Sequence, residues 1–553
     1  MDPLAQFVLI WAPVHVRRFA YRALLLFLAL RFAASPGFAK SFELETASIA
    51  DIQAAVAAGA LSYEKLMMLC LARINAYDVA GPKLHALITV NPNAVAEAKA
   101  LDAERQATGL RSPLHGIPVI VKDNYDTKDL PTTAGSVLLA GSLPPNDAFL
   151  IKRLHAAGAI ILAKANLDEF ASGGPGTYSG FSSYGGQTHN PHNPLYAPGG
   201  SSGGSGVSAA AWYVPLALGT DSGRSIRAPC SYNGIAGIRP SIGLLSRTGI
   251  IPLVHSTDTG GPMARNIYDV AVALGVLAGV DPADPVTRDS LDLAYHDYTP
   301  FLKKDALKGV RLGINRNYTA RNTPDVNRVL DAAIGELKAA GAIIVDPVNF
   351  PSQVMNVKDD LIRILDYTEF REQIGRYLSG LTQPGYPKTL TEMIERADRF
   401  QPDGHSERNP GVWATFKLQN ASPSSQSLAY RSAKVHGVGM VRDAVLGVFE
   451  EYRIDAMVYP TWPSPAPVIT ESGPPAPSSA PALTYVASLT GFPDVIVPAG
   501  FTRKEKLPIT ISFFGPAFSE PKLLAYAYAY EQATHHRISP ATTPSLPGEK
   551  FEY

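Results

Sequence analysis

The stretch Gly199-Gly200-Ser201-Ser202-Gly203-Gly204-Ser205-Gly206 constrains this chain more than any other. Glycine-serine tracts usually serve as flexible linkers between domains. Here specific polar residues (Gln187, His189, Asn190) precede the tract, and the apolar run Val207–Leu218 follows it. A linker has no need of such company. Glycines in this setting let backbone N–H groups come close to a ligand, as a concave nest of amides does around an oxyanion. The tract therefore reads as part of a folded site.

Short apolar runs and helical patterns alternate on both sides of it. Ser48 with Asp51 is a capping-box signature, and a second helix is predicted from Ser62, carrying Leu66, Leu69, Leu71 and Ile74. A strand is predicted over 84–90 and an alanine-rich helix over 94–106. Gly116 to Lys122 reads as a short apolar strand ending on a lysine, followed by a helix over 149–157 and a strand over 160–163. Further strands are predicted at 310–314, 343–345, 454–459, 495–498 and 509–514, with helices at 324–340 and 522–533. Between them, residues 351–427 mix aromatic and charged side chains and read as a helical excursion. Strands recur at both ends with no linker between, which predicts one large α/β domain. There is no repeat at solenoid spacing.

Charge is balanced, 49 Lys+Arg against 49 Asp+Glu, so nothing electrostatic points to nucleic acid or an anionic membrane. The two cysteines, Cys70 and Cys230, exclude a disulfide scaffold but leave open one bridge or two free thiols. No Cys or His cluster has ligand spacing, so no metal site is expected. At the N-terminus Arg17 and Arg18 precede an apolar run from Ala23 to Leu30, which Arg31 interrupts before Gly37-Phe38-Ala39. The run is short for a membrane span, so residues 1–39 read as a cleaved secretory signal, with an uncleaved signal anchor as the alternative. The sequons Asn317-Tyr318-Thr319 and Asn420-Ala421-Ser422 fit that route weakly; Pro423 follows the second.

Gly199-Gly200-Ser201-Ser202-Gly203 also matches the G-x-S-x-G elbow, but that motif needs a strand before it. The two prolines of His192-Asn193-Pro194-Leu195-Tyr196-Ala197-Pro198 disfavour one, and with it a Ser–His–Asp hydrolase. Taken with Gly219-Thr220-Asp221-Ser222-Gly223-Arg224-Ser225-Ile226-Arg227 and Gly116-Ile117-Pro118-Val119-Ile120-Val121-Lys122-Asp123-Asn124, the tract resembles the signature of the amidase signature family. Pro460-Thr461, Gly491-Phe492-Pro493 and Val497-Pro498-Ala499-Gly500-Phe501 are similar to that family's closing strands. The resemblance runs from about Ala47 to Ala533. It implies a single domain, residues 47–540, with a mixed central β-sheet covered by α-helices, and substrate pockets built from the excursion at 351–427. Position by position it implies Ser225 as acylated nucleophile, Ser201 (after a cis bond from Gly200) as bridging serine, and Lys122 as base. The backbone N–H groups of Ser222, Gly223, Arg224 and Ser225 would form the oxyanion hole, with Gly200, Ser202, Asp221 and Arg227 in support.

The chemistry is coherent without the name. A serine hydroxyl needs a base within hydrogen-bond reach, and no histidine is placed near both serines in sequence. Lysine can serve only when neutral, so its pKa of about 10.4 must fall, and burial at the end of an apolar strand lowers it. The expected reaction is hydrolysis of a linear carboxamide to carboxylate plus ammonia or amine, with no cofactor. The expected partner is a small-molecule amide, with no nucleic acid and membrane contact only through the N-terminus. Three alternatives stand beside it: a membrane-associated lipid-amide hydrolase, a glutaminase-type subunit of an amidotransferase, and a catalytically impaired member. The last rests on Arg224, which stands where the family usually has glycine and would be strained if its φ were positive. His189 and His192 read as pocket lining or loop packing, and Cys230 as a small buried residue. Tyr367, Phe370, Tyr377, Tyr386, Trp413 and Phe416 suggest an apolar or aromatic acyl group.

Overall fold

The computed structural model describes residues 41–173, 179–317, 319–400, 409–470 and 484–553. The signal-like segment 1–39 and Tyr318 of the first sequon lie outside the described residues. The described strands are β1 (Ser41–Glu43), β2 (Leu87–Val90), β3 (Pro118–Lys122), β4 (Ile160–Ala165), β5 (Phe181–Ser182), β6 (Gly186–Gln187), β7 (Leu216–Asp221), β8 (Ala236–Arg239), β9 (Thr259–Ala264), β10 (Arg311–Ile314), β11 (Ile343–Val345), β12 (Ala456–Pro460), β13 (Asp494–Phe501), β14 (Pro508–Phe514) and β15 (Lys550–Glu552). β1 and β15 pair with each other in a small separate unit, and residues 44–549 form the main body.

The body is built on an eleven-stranded sheet in the order β11-β10-β12-β14-β13-β8-β9-β7-β3-β4-β2. It is mixed: β7, β3 and β4 run parallel, whereas β12, β14, β13, β8, β9 and β7 pair antiparallel in succession. The strands predicted from β-branched runs all form, and every residue of β3, β4 and β7 is buried. Such burial on both faces explains why they read as continuous apolar runs without alternation. The capping box at Ser48 is present, and helix Tyr63–Arg73 buries Leu66, Met67 and Cys70. Cys70 and Cys230 are buried free thiols, which decides between the two cysteine readings. No helix among the described residues is long and apolar enough to cross a membrane.

The Gly/Ser tract becomes a fully buried helix, Gly203–Ala210, packed under the sheet edge that carries the site. Its glycines answer to protein packing. A Cβ at Gly204 would stand 2.2 Å from the Ala86 carbonyl oxygen and 2.6 Å from the Asn166 amide nitrogen. Both are backbone atoms that cannot swing away. Gly204→Ala is therefore expected to destabilise the protein by at least about 1–3 kcal/mol, seen as a lower denaturation midpoint. Gly335→Ala, in helix Pro324–Ala339 with nothing within 4 Å of its Cβ position, should leave stability unchanged or raise it by about 0.5–1 kcal/mol.

Candidate active site

β3 and β7 are parallel neighbours in register Val119↔Leu216, Ile120↔Ala217 and Val121↔Leu218, so their carboxyl ends open at one edge of the sheet. In open α/β sheets that edge is where ligands sit. Lys122 ends β3, and Thr220 and Asp221 end β7. Lys122 Nζ donates to Ser201 Oγ at 2.7 Å and to Thr220 Oγ1 at 2.8 Å, and Asn124 Nδ2 donates to Thr220 Oγ1 at 3.1 Å. The lysine is 0% exposed, Ser201 2% and Ser225 8%, so access to solvent increases along that series. Burial is the largest influence on the amine and pulls its pKa down to about 7, although Asp168, Asp221 and Asp258 act in the opposite direction.

The Gly200–Ser201 peptide is cis. The Asp168 N–H donates to the Ser201 carbonyl at 3.1 Å, and Asp168 Oδ1 accepts the Gly180 N–H at 2.5 Å. A Cβ on residue 200 would stand 2.0 Å from Asp168 Oδ2, which is why glycine occupies it. Burial pushes the Asp168 carboxyl up to about 6 against the opposing pull of Gly180, Arg224 and Lys122. Ser202 is a clip. Its Oγ donates to the Thr220 carbonyl at 3.1 Å and accepts the Thr220 N–H at 3.2 Å, while its own N–H donates to the Ser225 carbonyl at 3.2 Å.

Ser225 lies in the turn between β7 and helix Arg227–Asn233. Among the described residues, the backbone N–H groups of Ser222, Gly223, Arg224 and Ser225 make no hydrogen bond to a protein acceptor. The turn is held from beneath. Asp221 Oδ2 accepts the Ile226 N–H at 3.0 Å, and Arg227 Nη2 donates to the Gly223 carbonyl at 2.8 Å. Arg227, fully buried, also pairs with both oxygens of Asp221 (3.1 and 2.9 Å) and with Asp494 Oδ2 (3.2 Å), and donates to the Thr484 carbonyl and Ser488 Oγ. Arg239 Nη1 adds a second contact to Asp221 at 3.1 Å. Burial alone would raise the Asp221 pKa, but the two arginines outweigh it and hold the carboxyl down to about 2.

Arg224 does not have positive φ, so the strain foreseen for a side chain at that position is absent. Its guanidinium carbon lies 5.7 Å from the Trp462 ring centre. His189 and His192 are held by backbone carbonyls, those of Pro194 in the loop (2.7 Å) and of Asn233 at the end of helix Arg227–Asn233 (3.1 Å). Cys230 is buried with its Sγ 3.7 Å from the Ala236 carbonyl, and burial pushes its thiol well above the usual range.

A pocket beside Lys122 has Asn124, Thr220 and Ser222 on its walls, together with Ile251, Leu253 and His255. The excursion supports this pocket through polar contacts. From helix Ser352–Gly380, Glu369 Oε2 accepts the Ser256 N–H and Gln373 Oε1 accepts the His255 N–H, each at 3.0 Å. The aromatic side chains of the excursion are largely engaged elsewhere. Phe370 stacks on Phe416 at 4.7 Å, Trp413 meets Phe416 edge-on, and Tyr377 donates to Asp126. Phe370, Trp413 and Phe416, three of the six rings on which an aromatic acyl group was expected, thus pack on one another. Thr220, Asn124, Asp168, Asp258 and Trp462 were not singled out from sequence. The first two flank Asp221 and Lys122 in the quoted motifs, whereas the others are far away in the chain. Among the described residues no three His, Cys, Asp or Glu side chains converge as metal ligands would.

A family model described as Amidase matches residues 66–524. The chain is 37% identical over 501 residues to a glutamyl-tRNA(Gln) amidotransferase subunit of Chloroflexus aurantiacus, covering 89% of this chain and 97% of the relative. It is 33% identical over 508 residues to a probable amidase of Arabidopsis thaliana, with 90% and 92% covered. Its structure superposes on the native peptide amidase of Stenotrophomonas maltophilia with a TM-score of 0.82 at 36% identity, covering 90% of this chain and 99% of that one. The chain belongs to the amidase family and is an amide-hydrolysing enzyme of that family.

Proposed function

We propose that the protein hydrolyses linear carboxamides through an acyl-enzyme on Ser225, with Lys122 as base and Ser201 as proton relay. The observation that carries the reading is the 2.7 Å contact between Lys122 Nζ and Ser201 Oγ, made by an amine whose burial brings its pKa to about 7. Neutral, the amine has a lone pair to receive the Ser201 proton, and Ser201 in turn takes the proton of Ser225 Oγ. Ser225 Oγ bonds to the amide carbon, and the carbonyl electron pair moves onto oxygen. The unengaged N–H groups of Ser222 to Ser225 are available to that oxyanion, each worth about 3–4 kcal/mol by comparison with measured donors. The C–N bond then breaks, the proton returns through Ser201 to the departing nitrogen, and water resolves the ester to carboxylate by the same relay. One amide and one water give one carboxylic acid and one amine or ammonia.

Peptide amides are the first substrates to test, because the peptide amidase of Stenotrophomonas maltophilia shares nearly the whole fold. Ammonia release from a peptide amide by the isolated chain should show kcat/KM rising with pH and half-maximal near pH 7, where Lys122 loses its proton. A profile flat between about pH 5 and 9 contradicts lysine as the base. The similarity to amidotransferase subunits favours a second reading, a glutaminase active only in complex. That reading predicts no turnover of any simple amide by the chain alone. Secretion is part of the same proposal: N-terminal sequencing of the mature protein should begin at Lys40.

A further inference from the structure

Buried arginines in this protein are normally paired. Arg73 meets Glu549 at 2.8 Å and donates to the carbonyls of Ala211, Thr543 and Pro544, and Arg227 and Arg239 share Asp221. Buried Arg265 and half-buried Arg537 depart from this pattern, and they line the same pocket, a space of about 180 Å³ between Asn266, β13 at Val497–Pro498, and the C-terminal residues Glu531 to Arg537. Arg265 is 3% exposed. Its Nη2 donates to the Ala47 carbonyl and its guanidinium carbon stands 4.9 Å from the Trp212 ring centre, but its Nε and Nη1 are buried without an acceptor. Arg537 reaches Ser539 Oγ at 3.4 Å through Nη1, and its Nη2 is buried without an acceptor. Neither forms an ion pair among the described residues.

The nearby carboxylates direct their hydrogen bonds to other groups, while Glu45 and Glu531 act on the Arg537 guanidinium through space. Asp269 accepts the Ile49 N–H and Asn266 Nδ2, each at 2.9 Å; Glu531 Oε1 accepts the Ile267 N–H at 3.0 Å. Glu45 accepts Ser545 Oγ at 2.8 Å, and Glu336 accepts Tyr530 Oη at 2.6 Å and faces His536 Nε2 at 2.9 Å. Burial raises the Glu531 carboxyl to about 8, against the opposing pull of Arg537. Burial, and then repulsion from Arg537, pulls the Arg265 guanidinium well below its usual range. A charge withdrawn from water without a partner is costly, and unpaired buried donors add to that cost. One anion between the two guanidinium groups would relieve both.

We propose that this pocket is a binding site for a small oxyanion, a phosphate or carboxylate group held between Arg265 and Arg537. It is separate from the cleft at Lys122 and shares none of that pocket's lining residues. Guanidinium is suited to such a ligand because its planar fork gives paired hydrogen bonds to two oxygens.

The test uses the full-length protein at constant ionic strength, with chloride replaced stepwise by inorganic phosphate or, in a parallel arm, by acetate. Calorimetry and the thermal midpoint follow binding. Saturable binding of at least one anion is expected, and the arm that saturates identifies the head group. Arg537→Gln should weaken it at least tenfold, and Arg224→Gly, which alters the amidase cleft instead, should leave it unchanged. Arg265→Lys supplies the comparison if Arg537→Gln does not fold. Failure of the wild type to bind either anion saturably, or equal binding by wild type and the folded Arg537 or Arg265 variant, overturns the proposal. Loss in Arg224→Gly alone overturns it too, because the anion would then occupy the amidase cleft. None of these outcomes depends on which amide the enzyme hydrolyses.

Discussion

Lys122→Met is expected to lower kcat/KM for any carboxamide substrate by about 10²–10⁴-fold without lowering thermal stability. Methionine replaces the length and the apolar stem of a side chain that is wholly buried, so packing is retained. What disappears is the amine, with its contacts to Ser201 at 2.7 Å and Thr220 at 2.8 Å. Thr220 keeps Asn124 as a partner at 3.1 Å. The sign of the stability effect follows from linkage. The folded-state pKa of about 7 lies below the unfolded value near 10.4, so the unfolded chain binds the extra proton between them. Wild-type stability therefore rises with pH across that window, and at pH 7 the variant is relieved of a burial cost. A variant that loses activity and keeps its midpoint identifies a chemical role. A fall in activity that merely tracks a fall in midpoint would assign Lys122 to structure.

Arg227→Met should do the opposite, destabilising the protein by about 3–5 kcal/mol and removing activity as a consequence. Arg227 satisfies Asp221, Asp494, Ser488 Oγ and the carbonyls of Thr484 and Gly223, all buried or partly buried. Without it, Asp221 retains Arg239 and Asp494 retains Tyr459, at 3.1 and 2.5 Å, but neither carboxylate is fully compensated. Denaturant midpoints at several pH values measure the effect. The Asp221 pKa of about 2 is below its unfolded value near 3.9, so its stabilisation is present above about pH 4 and is lost as pH falls toward 2. The gap between wild type and variant should narrow over that range. A variant of undiminished stability at neutral pH would mean that the Asp221 charge needs no second arginine.

The parts of the fold legible in sequence are those where local propensity and tertiary role agree. β3, β4 and β14 are rich in Val and Ile and read directly as strands. The pattern passes over β9, Thr259-Gly-Gly-Pro-Met-Ala, because glycine and proline are poor strand formers. It forms because six successive residues pair with β7, while pairing with β8 is confined to Met263 and Ala264 and stops short of Pro262. Helix Gly203–Ala210 is hidden for a related reason: close backbone approach at Gly204 requires a residue that disfavours helix. In the candidate site, Lys122, Ser201 and Ser225 stand out as candidates because each sits in a compact motif. Asp168, Asp258 and Trp462 reach the same place from distant loops and leave no local pattern. Spacing also cannot tell a ring that lines a pocket from one that stacks on a neighbour, which is why Phe370 and Phe416 invited a substrate reading.

The most direct measurement is intact-mass spectrometry after treatment with a fluorophosphonate, followed by peptide mapping. An activated serine attacks such a probe and keeps the phosphonyl group. One adduct is expected on the wild type, mapped to Ser225, absent in Ser225→Ala and formed far more slowly in Lys122→Met. An adduct that persists in Ser225→Ala, or a wild type that hydrolyses amides yet takes no label, would contradict that expectation.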